Sequence, residues 1–230
     1  MQQDYGAMNN VSAANQLRTS QYVQICEESE NALKILFVGN SITHHGAKPE
    51  IGWHHNWGMA ASSKENDYVH RVVSGLKERY GQVNYCIAQV AAWERDYPNG
   101  EELLRTHYQA AADFEADWVV IRLGENVPLY LGETVDFKPC CENLIRFFAS
   151  NPKAKVIVTD NFWEKEVLDQ KLEQIAKENG YLFCQLHDLS ADQRTMAIGL
   201  FEHRGVSLHP GDIGMECIAQ RILTAMENHE

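Results

Sequence analysis

Five short stretches of unbroken hydrophobicity, at 34–38, 83–88, 118–123, 155–159 and 181–186, constrain this chain more than any other feature. A strand with one wet face alternates apolar and polar side chains, whereas a strand covered on both faces has no need to. Helical stripes separate the runs. Val69, Val72, Val73 and Leu76 fall at i, i+3, i+4, i+7, with Ser62 and Glu65 as a candidate capping box and Gly81 as a stop. Further stripes are Leu103–Leu104–Tyr108–Ala111, Cys141–Leu144–Ile145–Phe148 and Leu168–Leu172–Ile175–Ala176, the last closed by Gly180. The cleanest is Met215, Ile218, Ala219, Ile222, Leu223 and Met226. Strands alternating with helices predict a three-layer α/β/α sandwich around a five-stranded parallel sheet. Residues 33–230 read as one domain, and polar residues 1–32 as an N-terminal extension packed on it or loosely attached.

Composition removes several function classes. The 230 residues carry 20 Lys+Arg against 32 Asp+Glu, a formal net charge of −12. Such a surface argues against nucleic acid and anionic membranes as partners, because both demand cationic contacts. No apolar run approaches the length of a membrane span, and the first residues lack the basic and apolar regions of a secretory signal. The six cysteines show no CxxC spacing and read as reduced, mostly core thiols, which points to the cytoplasm. The expected partner is a small molecule; the oligomeric state is left open.

Three loops at one sheet edge carry chemistry. Gly39-Asn40-Ser41 follows the first apolar run, so the Ser41 hydroxyl stands at the carboxyl end of a strand. A serine becomes a nucleophile only with a base in hydrogen-bond reach. Gly124-Glu125-Asn126 follows the third run, and the Asn126 amide can donate to a developing oxyanion. His209-Pro210 precedes the last helix and supplies an imidazole. A helix cap, an Asx turn and an ordinary loop histidine are the plain alternatives when each is taken singly. Serine, amide and histidine together are what a hydrolase needs.

These blocks resemble the SGNH (GDSL-type) hydrolase family of esterases and acylhydrolases over about residues 33–228. The resemblance implies a flavodoxin-like fold, Ser41 as nucleophile and first oxyanion donor, Asn126 as side-chain donor, and His209 as general base. Asn40 and Glu125, inside the matched blocks, are candidate substrate contacts. Three departures stand out: Val127 replaces the Asp that closes the third block, Ala92 stands where a glycine supplies the remaining oxyanion N–H, and Val206 replaces the Asp three residues before the histidine. A positive φ at Ala92 is expected to be strained. A backbone carbonyl can hold the imidazole as part of a dyad, or a carboxylate from elsewhere can, with Glu202, Asp188, Asp192 and Asp212 as candidates, Glu202 first because it shares the loop. The family implies a carboxylic ester substrate without cofactor, such as an O-acetylated carbohydrate.

One loop, 42–61, resists the strand–helix scheme and holds His44, His45, Trp53, His54, His55 and Trp57. With Trp93 and Trp163, the tryptophans are candidate stacking walls, or simply anchors of long loops. The paired histidines invite zinc, but adjacent residues on extended chain point in opposite directions, and no metal is expected. A catalytically weak ligand binder and a metal-dependent hydrolase using this loop are the competing readings.

Overall fold

The computed structural model describes residues 22–128, 130–131 and 135–229. Its single sheet has six strands: β1 (Val23–Cys26), β2 (Leu33–Gly39), β3 (Val83–Gln89), β4 (Trp118–Arg122), β5 (Lys155–Thr159) and β6 (Leu182–Cys184). The spatial order is β1-β3-β2-β4-β5-β6. All neighbours pair in parallel except β1, which runs antiparallel along β3 from Val23–Ala88 to Cys26–Tyr85. The expected five-stranded parallel sheet is therefore present with an antiparallel edge strand added. That strand falls within 1–32, so at least residues 23–26 belong to the domain rather than to an appendage; residues 1–21 lie outside the described residues.

Continuous hydrophobicity has the anticipated cause. On β2, Leu36 and Val38 point into one core and Ile35 and Phe37 into the other, all fully buried. Burying each such side chain contributes roughly 1.5–3 kcal/mol. The Leu36 side is covered by α3 (Gly100–His107), α5 (Phe137–Phe148) and α6 (Glu166–Asn179), through Leu104, Leu144 and Leu172. The Phe37 side is covered by α1 (Tyr68–Tyr80) and α8 (Asp212–Glu227), through Val69, Val72, Ile218 and Ile222.

Two local expectations need correction. The N-cap of α1 is Asp67, which accepts the His70 N–H at 2.8 Å; Ser62 instead donates its hydroxyl to Asp212 at 2.6 Å, pinning this loop to the start of α8. The stripe through Tyr108 is broken there, giving α3 and the short α4 (Gln109–Ala112) in place of one helix. The remaining short helices are α2 (Ala91–Arg95), directly after β3, and α7 (Arg204–Ser207), directly before the His209 turn.

Without the edge strand, the order β3-β2-β4-β5-β6 is flavodoxin-like. The chain leaves β2 for one side and returns for β4 on the other, and open α/β sheets bind ligands at the carboxyl ends of strands flanking such a switch.

Candidate active site

The loop after β2 turns at once. The N–H groups of Thr43 and His44 both donate to the Asn40 carbonyl, at 3.0 and 2.9 Å. Gly39 is required by space: a Cβ there would stand 2.0 Å from Thr43 Oγ1 and 2.7 Å from the Arg122 carbonyl. The turn presents Ser41 Oγ to His209 Nε2 at 2.8 Å, a contact spanning 168 residues of sequence. The His209 loop is anchored from behind, where its carbonyl accepts the Ala197 N–H at 2.9 Å and Gly211 N–H donates to Thr195 at 2.9 Å.

His209 Nδ1 donates to the Gly205 carbonyl at 2.6 Å, which leaves Nε2 as the acceptor facing Ser41. Burial pushes the imidazole down to about 4; the Gly205 carbonyl and, more distantly, Glu125 only partly oppose it. Of the two expected ways to hold this imidazole, the structure has the backbone carbonyl and none of the four carboxylates. Glu202 is exposed, Asp188 pairs with Arg221, Asp192 with Arg194, and Asp212 holds Ser62. Val206, at the departing position, is fully buried with Trp53, Met59, Ala60 and Ala197. Its side chain locks the 42–61 loop onto the histidine loop, a packing role a carboxylate would disrupt.

Beneath the other half of the site lies a charged network that the sequence reading missed. Glu94 is fully buried on α2. Its Oε1 accepts Gly124 N–H at 2.5 Å and Asn40 Nδ2 at 3.0 Å, and its Oε2 accepts Asn126 Nδ2 at 2.7 Å. Arg122, also fully buried, forks onto Glu125 through Nη1 at 2.5 Å and Nη2 at 3.2 Å, and Nη2 also donates to Asn40 Oδ1. Asn40 Nδ2 completes the web at Glu125 Oε2, 2.6 Å. Burial alone would raise the Glu125 carboxyl, but the guanidinium outweighs it and holds it below its ordinary value. Glu94 moves the other way, raised by burial and then by Glu125.

The network explains why Asn rather than Asp precedes the serine. Asn40 gives one amide hydrogen to each of two carboxylates, which an Asp cannot do. It also corrects two assignments: Asn40 and Glu125 face inward into this web and do not line a substrate surface. The signal that could have found Arg122 is a cation ending an otherwise apolar run, since a buried guanidinium requires partners.

No family model matches the sequence, and no curated protein does either. Solved structures do. A two-domain esterase active on acetylated mannans aligns with TM-score 0.55 at 21% identity, covering 86% of this chain and 49% of that one. This chain thus spans about half the length of that esterase. A protein described as a GDSL-like lipase from Bacteroides ovatus aligns with TM-score 0.59 at 14% identity, covering 86% of this chain and all of the other. An acetyl xylan esterase gives 0.52 at 16%, covering 84% and 99%. The fold is that of the GDSL-type hydrolases.

On that GDSL-type fold, Ala92 occupies the first turn of α2, where an N–H has no intrahelical acceptor. The expected strain is absent, since Ala92 is not among the positive-φ residues. Gly124 does need to be glycine: its φ is +134°, and a Cβ would sit 2.6 Å from Asn161 Oδ1. Trp163 packs its ring edge-to-face on His209 with centroids 5.1 Å apart. Trp53 and Trp93 are buried and serve as anchors, not walls; the Trp93 indole occupies the space a Gly100 side chain would need. Trp57 is half-buried, donates to the Ala61 carbonyl at 2.9 Å, and carries His55 stacked at 4.2 Å. The histidines do not converge. His44 is buried against Gln24 of β1, His45 bonds its own loop at Gly46, and His54 is exposed. Among the described residues, no group of three or more His, Cys, Asp or Glu is arranged to hold a metal ion. All six cysteines are free, and no helix among the described residues is long and apolar enough to cross a membrane.

Proposed function

We propose that this chain is a serine esterase acting on carboxylic esters. The observation that carries the reading is the 2.8 Å contact of Ser41 Oγ with an imidazole whose other nitrogen is already committed to a carbonyl. Ser41 Oγ bonds to the acyl carbon as its proton passes to His209 Nε2. The substrate carbonyl oxygen becomes an oxyanion, which accepts hydrogen bonds donated by the N–H groups of Ser41 and Ala92 and by Asn126 Nδ2. Collapse breaks the bond to the alcohol, which leaves with the proton from His209. Water, deprotonated by the same imidazole, then cleaves the acyl-enzyme and releases the acid.

The substrate class we infer is an O-acetylated carbohydrate. Its support is the likeness to an esterase active on acetylated mannans and to an acetyl xylan esterase, together with Trp163 and Trp57 as partly exposed aromatic surface. The test is intact-mass detection of phosphonate labelling, with turnover of p-nitrophenyl acetate and acetylated oligosaccharides. Wild type labels once and turns over; Ser41→Ala does neither, and Ser41→Ala and His209→Ala each lose at least about 10³-fold in kcat. Absence of labelling in wild type would sink the esterase and favour a ligand-binding protein of the same fold.

A further inference from the structure

An asparagine side-chain amide turns easily about its last bond, and its two ends are opposite in polarity. Facing a nascent oxyanion with Nδ2 stabilises it; facing it with Oδ1 repels it. An oxyanion donor of this type works only if something fixes which end points inward. In this chain both ends are held. Asn126 Nδ2 donates one hydrogen to Glu94 Oε2 at 2.7 Å, the second having no partner among the described residues, and Asn126 Oδ1 accepts from Arg95 Nη2 at 3.4 Å. A carboxylate accepts only from the NH₂ end, and a guanidinium donates only to the oxygen end, so the pair admits one orientation.

We propose that Glu94 and Arg95 are positioning residues that clamp Asn126 as the oxyanion donor. Successive helical residues project about 100° apart. Glu94 accordingly grips the amide from the buried side while Arg95, exposed, closes from solvent. Glu94 also accepts the Gly124 N–H at 2.5 Å, so one carboxylate fixes both the side chain and the loop that bears it. Among the described residues, every hydrogen-bond partner of Glu94 is a donor, as an acceptor-only carboxylate requires. A buried acid is expensive unless so saturated. Val127, where the resembled pattern has an Asp, leaves the loop with no acid of its own there, and the clamp comes from α2 instead.

The kinetic arm of the test rests on the esterase reading; the spectroscopic arm does not. Glu94→Gln is expected to lower kcat about 10- to 100-fold with KM within about twofold, since a misdirected donor costs up to what its loss costs. Arg95→Gln, at an exposed position that spares the fold, lowers kcat several-fold. In an Asn126→Ala background, itself down about 10²–10³-fold, Glu94→Gln costs less than about twofold more. Equal cost in both backgrounds, or unchanged kcat with a lowered melting temperature, overturns the proposal. Independently of activity, the Asn126 side-chain amide resonances, assigned by their loss in Asn126→Ala, shift in both Glu94→Gln and Arg95→Gln. Unmoved resonances in both variants overturn it even if wild type proves inactive. A wild type that fails to label while those resonances move refutes the esterase and keeps the clamp.

Discussion

The two halves of the site treat charge in opposite ways. The Ser41–His209 half has no carboxylate on its imidazole: Nδ1 meets a backbone carbonyl, and the residue at the position where the resembled pattern has an acid is a buried valine. The Asn126 half rests on two buried carboxylates and a buried guanidinium, tied together by Asn40. A carbonyl fixes a tautomer as well as a carboxylate does, but it does little to stabilise an imidazolium. Fixed charge is gathered instead around Asn126, the proposed oxyanion donor. In the resembled pattern one Asp both orients the histidine and carries charge beside it; here the carbonyl at His209 and the buried charges near Asn126 stand in separate parts of the candidate site.

The charged half is where substitution should cost most. Removing the guanidinium in Arg122→Met leaves Glu125 and Glu94 facing each other without a cation, and loss of one partner of a buried ionic group costs roughly 3–5 kcal/mol. Urea unfolding should show this as a lower midpoint at unchanged slope. A loss below about 1 kcal/mol would mean that the web is not fully ionised and that the contrast between the halves is overdrawn.

How much of this was readable from sequence follows from what each residue answers to. The five central strands show because both sheet faces are covered, so apolar residues run without a break. Strand β1, four residues containing Gln24, is an edge strand whose pairing with β3 depends on residues 62 positions or so apart, and no local pattern marks it. Ser41, Asn126 and His209 show because each punctuates the end of a strand or the start of a helix. Glu94 and Arg122 are harder to read, because nothing local separates a buried charge from a solvated one, and both are satisfied inside the protein through Asn40, Asn126 and Glu125. The tryptophans fail for a related reason: Trp53 and Trp163 look alike in sequence, and only tertiary packing buries one and lays the other on His209.

Placing the acid of the resembled pattern in the uncharged half, Val206→Asp, tests why that half is neutral. The side chain would enter the cluster of Trp53, Met59, Ala60 and Ala197. Burying a carboxyl there and losing the valine contacts should cost about 2–4 kcal/mol in thermal or urea unfolding, with no gain in kcat. A stable variant with raised kcat would show that the position still points at the imidazole and that valine is a simple loss.

The smallest effect is also the most specific to the histidine. With its ring held down to about 4, His209 stays a neutral base far into acid, so kcat/KM should remain level to about pH 5 and halve near pH 4. A carboxylate-paired or exposed histidine would halve at or above its ordinary value of about 6.5. Released acetate, rather than nitrophenol, should be followed. Glu94→Gln should be run in parallel, because burial and the neighbouring Glu125 raise the Glu94 carboxyl above its ordinary value and the variant removes that titration from the profile. Stability carries the same signature with a definite sign. Between about 6.5 and 4 the unfolded chain takes a proton that folded His209 refuses, so stability falls as pH drops through that window, by at most about 1.4 kcal/mol per pH unit. His187 behaves oppositely. Its Nδ1 meets Asp160 Oδ2 at 2.6 Å, which raises it, so its contribution is complete below about 6.5 and is lost as pH rises through the higher folded value. Being a third exposed, His187 adds well under 1 kcal/mol. Melting temperatures across pH should therefore flatten on the acid side in His209→Gln and on the alkaline side in His187→Gln. An acid limb of kcat/KM near 6.5 in Glu94→Gln would show that the base gains charge stabilisation from a source the uncharged half does not contain.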